Sequence, residues 1–197
     1  MLDFQLSEEH VMAQKMVRDF ALKEVYPTLK EWDRKQEMNP AILPRMGELG
    51  ILGICIPVRY GGQGLDYVAL GLACEELERI DSTLRVAMSV HMGLNSLALL
   101  QWGTEAQKQQ FLTPQARGEK YGAFCLTEPD AGSDPASMRT RARAVDGGFV
   151  LNGSKTWITN SPIADVFVVW AKNDAGDIRG YILERGMDGL SAPKIEG

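Results

Sequence analysis

The feature that most constrains this chain is a change of hydrophobic period near residue 118. Before it, apolar residues recur at three-and-four spacing; after it, they fall into short extended runs separated by turn signals. Helices first and strands afterwards bury their apolar surfaces in segregated layers, so the expected class is α+β. An all-α helical bundle is expected over 1–118 and an antiparallel β domain over 119–197.

The helices carry their own punctuation. Ser7 is placed to cap a first helix, with Glu8 and Glu9 favouring the positive end of its dipole and Ala13, Met16, Val17, Phe20 and Ala21 on one face. Asn39 and Pro40 open a second helix and Gly50 ends it. Asp66 caps a third, running to about Arg79, whose Glu75-Glu76-Leu77-Glu78-Arg79 reads as a solvated face. Ser82 caps a fourth that is apolar nearly all round up to Gly103, so it is expected inside the bundle. Thr104 with Gln107 forms a capping box for a fifth, which fades near Gly118. Beyond that point the expected strands cover 121–126, 141–145, 149–151, 155–159, 166–171 and 179–183, with Asp146-Gly147-Gly148, Asn152-Gly153 and Asp174-Ala175-Gly176 as turns. The tail 191–197 gives no closing strand. With five or six short strands, at least one sheet edge stays unpaired, and the chain reads as a fragment of a longer protein, the alternative being a complete protein whose small sheet is covered by its own helices.

Composition excludes several functions. The 197 residues are 45% hydrophobic and carry 21 basic against 26 acidic side chains, a formal charge of −5. A net-negative surface repels nucleic-acid phosphate and anionic membranes. Apolar runs fall short of the roughly 20 residues that span a bilayer, and no signal or transit peptide is seen in a first stretch that includes Asp3, Glu8, Glu9 and Asp19. A cytoplasmic location is expected, or the mitochondrial matrix if a leader has been removed. Cys55, Cys74 and Cys125 are odd in number and sit in apolar surroundings, as reduced core thiols do. With only His10 and His91, and no paired spacing, no metal site is expected.

Three groups of residues could carry chemistry. In 124–134 an extended run opens into a loop with Gly132 flanked by hydroxyl and carboxylate groups. Backbone N–H groups of such a loop can converge on an anion, and a plain turn fits the spacing equally. Trp157 and Thr159, two apart on the expected strand, share a face suited to a flat heteroaromatic ligand; a core tryptophan is the plainer reading. Arg85 and Ser89 project from one face of the fourth helix. Burying that guanidinium needs an anion, either Glu78 or Asp81 within the chain or the carboxylate of a ligand. His91, amid Met88, Met92 and Leu94, reads as a packed core histidine.

With those residues set out, the chain resembles the acyl-CoA dehydrogenase family. The resemblance rests on Leu126-Thr127-Glu128-Pro129-Asp130-Ala131-Gly132-Ser133-Asp134 and Lys155-Thr156-Trp157-Ile158-Thr159-Asn160, supported by 57–62 and 103–107. Within the family it looks most like the glutaryl-CoA dehydrogenases, through 85–90, 160–165 and 189–193.

The resemblance implies a β-barrel-like middle domain and a missing C-terminal helical domain. It implies FAD as cofactor, surrounded by Phe124, Leu126, Thr127, Gly132, Ser133, Trp157, Ile158 and Thr159. Thr127 and Thr159 would hydrogen-bond the isoalloxazine, Trp157 would pack against it, and Ser133 would touch flavin or substrate phosphate. For the substrate, Arg85 with Ser89 would hold the free carboxylate of glutaryl-CoA, with Glu78 behind the arginine and Val86 and Ser133 also in the substrate site. The implied reaction is α,β-dehydrogenation followed by decarboxylation to crotonyl-CoA, in amino acid catabolism. Electrons would go to electron-transferring flavoprotein, and the full protein would be a homotetramer. The catalytic glutamate would lie beyond Gly197, so no catalytic residue is assigned and the fragment alone is expected to be inactive. Alternatives are a dehydrogenase for another short-chain acyl-CoA, and a non-catalytic flavin- or CoA-binding fragment.

Overall fold

The computed structural model describes residues 5–195, which form two compact units divided between Lys120 and Tyr121. Asp3, and the end of the tail at Glu196 and Gly197, lie outside the described residues.

The first unit is helical, and its helices begin where side chains can satisfy orphan N–H groups. In α1 (Glu8–Phe20) the Ser7 hydroxyl accepts from the His10 N–H while His10 Nδ1 accepts from the Ser7 N–H. His10 Nε2 then lies 2.9 Å from Asp66 Oδ1, and that same oxygen caps α4 (Tyr67–Glu78) through the N–H groups of Val68 and Ala69. Two helix starts are thereby tied together. The chain after α1 stays helical through a wider π turn and a 3-10 turn into α2 (Leu29–Lys35), and α3 (Ile42–Glu48) follows.

The fourth expected helix is α5 (Ser82–Val90), a π segment at His91–Ser96 and α6 (Leu97–Trp102). Its cap is Asp81, whose carboxylate accepts from the Leu84 N–H, and Ser82 is its first residue; a carboxylate one position earlier outcompetes the hydroxyl. Nor is the helix buried all round. Leu84, Met88, Met92 and Leu99 are inside, whereas Leu94 and Trp102 are exposed, so it presents one face to the core. The Thr104–Gln107 capping box forms as expected and opens α7 (Glu105–Gln107); a second π segment leads to α8 (Thr113–Ala116).

The stretch read as a solvated face contains an exception. Glu76 is only 2% exposed, and its carboxylate accepts from Arg18 Nε at 2.9 Å, Arg18 Nη2 at 2.5 Å and Gln14 Nε2 at 2.9 Å. These donors of α1 hold its carboxyl below the usual glutamate range. The reading failed because the answering charge lies 58 residues away.

The second unit is one five-stranded sheet: β1 (Gly122–Cys125), β2 (Arg141–Val145), β3 (Gly148–Asn152), β4 (Val166–Lys172) and β5 (Ile178–Glu184). Antiparallel hairpins join β2 to β3 through Asp146-Gly147 and β4 to β5. Against expectation, the sheet is mixed: β1 runs parallel to β4, and β2 touches the end of β4 in parallel at Arg141↔Lys172. Antiparallel β5 occupies the whole of one β4 edge, leaving the other to β1 at one end and β2 at the other. The sheet is also not a closed barrel. It curls enough to bring the rings of Phe149 and Tyr181 to 5.2 Å, yet β3 and β5 are not hydrogen-bonded to each other. Ala123, Cys125, Phe167 and Val169 share one face and form its core with Ala164. No helix among the described residues is long and apolar enough to cross a membrane.

Two stability outcomes follow. Replacing Glu76 with Ala strands Arg18 and Gln14, and is expected to cost about 2 kcal/mol in urea unfolding, with Glu76→Gln costing less. His91 is 1% exposed, and burial pushes its imidazole down to about 4 despite the Gln115 carbonyl at 3.1 Å. The unfolded chain therefore takes up this proton first as pH falls. About 3 kcal/mol of stability, fully present above pH ~6.5, should fade toward pH ~4, and His91→Gln should flatten that slope.

Candidate functional site

In the second unit, the residues singled out by sequence gather around one buried ion pair. Glu128 and Lys155 have side chains only 7% and 10% exposed, with Lys155 Nζ 2.8 Å from Glu128 Oε1. Lys155 Nζ also donates to the Leu126 carbonyl at 2.9 Å. The Glu128 carboxylate accepts further from the Arg139 N–H at 2.6 Å, the Thr140 N–H at 3.0 Å and, at short range, the Thr140 hydroxyl. Burial alone would raise this carboxyl; the converging donors outweigh it and bring it down to about 2. Gly153 backs onto this cluster, where any Cβ would collide with the Thr140 hydroxyl.

The pair draws the two motif segments together. Next to Lys155, the Thr156 N–H donates to the Thr127 carbonyl at 2.9 Å, while reciprocal Glu128–Ala131 backbone bonds close the loop that presents Gly132 and Ser133. Lys155–Thr159, however, is not a strand. Trp157 adopts φ +59°, a left-handed conformation that costs a non-glycine residue about 1–2 kcal/mol. The same-face argument for Trp157 and Thr159 therefore fails. Trp157 is 73% exposed, which removes the core-tryptophan reading, whereas Ile158 packs against the sheet core. Phe124 lies on the opposite face, edge-on to Trp170 at 5.8 Å, so it and Ile158 are not brought together.

The donor set suits a polar heteroaromatic ligand. Among the described residues, the N–H groups of Thr127, Trp157, Ile158 and Thr159 and the hydroxyls of Thr127 and Thr159 have no protein partner. The exposed Gly132 and Ser133 likewise have backbone N–H groups without partners, and nothing lies within 4 Å of where a Gly132 Cβ would stand. Oriented donors beside an exposed indole match the edge of a flavin ring, and the open loop backbone matches phosphate.

In the first unit, Arg85 is partly exposed, with 32% of its side chain accessible. Its Nε makes a short bond to Glu78 Oε2, across the turn joining α4 to α5. Its Nη1 and Nη2 have no partner among the described residues. Val86 and Ser89 are partly buried on α5, and the Ser89 hydroxyl donates to the Val86 carbonyl at 3.2 Å. The internal pair is thus made through the side of the guanidinium, while its forked end stays available.

Sequence reasoning missed the roles of Glu128, Lys155 and Thr140. The available signal was two oppositely charged residues embedded in otherwise uncharged apolar and hydroxyl segments, 124–129 and 154–160. The three thiols are not reactive centres. Burial raises Cys55 to about 11 and Cys125 to about 12, and lifts Cys74 as well. Cys55 and Cys74 are half-buried rather than core residues. No cluster of three metal-ligating side chains occurs among the described residues.

Family models match the chain in two blocks: the acyl-CoA dehydrogenase N-terminal domain over residues 7–119 and the acyl-CoA dehydrogenase middle domain over residues 123–197. A short-chain-specific acyl-CoA dehydrogenase of Clostridium acetobutylicum is 39% identical over 99% of this chain and 52% of its own length. A chain from a structure described as the electron transferring flavoprotein of Acidaminococcus fermentans superposes with TM-score 0.96 at 40% identity, covering 100% of this chain and 53% of that one. A glutaryl-CoA dehydrogenase of Mycobacterium smegmatis in complex with FADH2 superposes with TM-score 0.93 at 38% identity, covering 97% and 49%. The chain spans about half the length of the relatives it matches.

At pH 8 the native thiols should react with a disulfide reagent far more slowly than in urea, by about 100-fold at Cys55 given its depressed thiolate fraction. A fast native phase would contradict the burial described here.

Proposed function

The chain belongs to the acyl-CoA dehydrogenase family, and from that premise we propose that it takes part in FAD-dependent α,β-dehydrogenation of glutaryl-CoA, with decarboxylation to crotonyl-CoA. The observation that carries the substrate is the guanidinium of Arg85, whose Nε is engaged by Glu78 while its Nη1 and Nη2 have no protein partner among the described residues. A carboxylate at the far end of an acyl chain matches that open fork in charge and in planar geometry. Glu78 fixes the plane of the fork, and the Ser89 hydroxyl, one turn on, offers a further polar contact.

FAD, held by the Leu126–Ser133 and Trp157–Thr159 segments, would supply the hydride acceptor. The chain's own part is orientation. Thr127 and Thr159 offer hydroxyl and N–H donors to ring heteroatoms, Trp157 offers an aromatic face, and the Gly132–Ser133 backbone offers donors to phosphate. The α-proton base is assigned to no residue here. Glu128 is held at about 2 by its donors, and Arg18 holds the Glu76 carboxyl below its usual range. A carboxylate tied in this way is a poor proton acceptor near neutral pH. Electron-transferring flavoprotein is the proposed electron acceptor; a chain like this one occurs in a structure described under that name.

A second reading, a dehydrogenase for an unsubstituted short-chain acyl-CoA, is favoured by the Arg85–Glu78 bond itself, because an internally answered arginine needs no ligand charge. It also draws on the short-chain-specific relative. The two readings separate on Arg85→Ala in the flavin-loaded protein. Under the first, kcat/KM for glutaryl-CoA falls about 100-fold through loss of a charged contact while butyryl-CoA changes by less than about threefold. An unchanged ratio of the two substrates would remove the glutaryl assignment.

A further inference from the structure

Trp157 combines two features that do not sustain each other. Its left-handed backbone is strained, and its ring, 73% exposed, gains little from burial. Such a conformation persists only where the flanking chain over-determines it. On the far side, Ile158 is packed against the sheet core, its carbonyl accepts from the Ser161 N–H at 3.2 Å, and Asn160 Nδ2 donates to the Gly122 carbonyl at 3.2 Å. On the near side, the ties are the Thr156–Thr127 backbone bond and the buried ammonium of Lys155, shared between the Leu126 carbonyl and Glu128.

We propose that Lys155, braced by Glu128, is a positioning residue that holds Trp157 in its strained, outward conformation and turns the N–H and hydroxyl of Thr127 away from 155–156, toward the flavin edge. The geometry carries this directly. Turning the Leu126 carbonyl onto Lys155 turns the Thr127 N–H of the same trans peptide the opposite way, where it is left for a ligand. Without Lys155, Glu128 would keep the Arg139 and Thr140 donors, so its loop stays closed. The 155–156 segment would lose the Lys155 side-chain bonds to Leu126 and Glu128, and Trp157 would be free to leave the left-handed region. The inference rests on the proposed function only in taking the aromatic ligand to be the flavin.

The test compares Lys155→Met, Lys155→Arg and Trp157→Phe in the flavin-loaded protein, reading flavin fluorescence, flavin content and kcat against KM. It adds the 19F spectrum of 5-fluorotryptophan-labelled protein without flavin, the line of residue 157 being assigned by its loss in Trp157→Phe. Trp157→Phe should raise flavin fluorescence about fivefold by removing the stacked indole. Lys155→Met should raise it at least about twofold at unchanged flavin content, lower kcat more than it raises KM, and broaden or shift the residue 157 line. Lys155→Arg, which keeps the charge, should recover most of each signal. A Lys155→Met protein with reduced Tm but an unaltered 157 line and flavin fluorescence would make the pair merely structural and overturn the proposal. A Trp157→Phe protein with unaltered flavin fluorescence would instead overturn the flavin reading, leaving the 19F result to judge the positioning of Trp157. Should Lys155→Met fail to fold, Glu128→Gln replaces it, with the 157 line deciding by the same criteria.

Discussion

The second unit depends on a carboxylate that has been taken out of water and kept ionised. An isolated buried glutamate would take up a proton, since the desolvation of its charge is too costly to sustain otherwise. At Glu128 the cost is offset by an ammonium, two backbone N–H groups and a hydroxyl, which come from two further stretches of chain, 139–140 and Lys155. Each donor brings its segment to the same point. The signature loop, the start of β2 and the segment ahead of Trp157 therefore meet at one charge, and the loops that present Thr127, Gly132 and Trp157 inherit their positions from it. A purely apolar contact would hold these segments near one another without fixing which carbonyls turn inward; directed hydrogen bonds fix both.

What could be read from the sequence follows the range of the forces involved. Helix starts at Ser7, Asp66 and Thr104 were legible because the capping oxygen and the N–H groups it satisfies lie within three residues. The Asp146-Gly147 hairpin was legible for the same reason. The parallel pairing of β1 with β4 was not, since 40 residues intervene and no local pattern distinguishes a parallel partner from an antiparallel one. Glu76 was misread for the same physical reason: its periodicity marks a charged position, and only the partner on a distant helix reveals that the position is buried.

The segment 155–159 failed differently. Lys-Thr-Trp-Ile-Thr has the composition of a strand, and β-propensity describes how side chains fit a pleated surface rather than a backbone preference. Here the ladder bonds are replaced by a side-chain ammonium on one carbonyl and a single backbone bond to Thr127, so tertiary anchoring dictates the dihedrals. Lys155, Trp157, Ile158 and Thr159 follow one another in a segment whose geometry is the reverse of a regular strand. A break between local propensity and observed conformation is where function is most often found, because strain that stability alone would remove has been retained.

The first unit shows the complementary use of charge. Glu76 is surrounded by its donors and made inert, whereas Glu78, two residues on, remains half-exposed and engages only the side of the Arg85 guanidinium. Both carboxylates belong to α4, but helical periodicity turns them to different faces, one toward α1 and the other toward α5. An arginine bonded through Nε keeps its orientation without exhausting its donors, since the fork formed by Nη1 and Nη2 points away from the bonded edge. The same short run of acidic residues thereby locks two helices together and aims a cation, and only the second of these tasks leaves hydrogen-bonding capacity for something outside the chain.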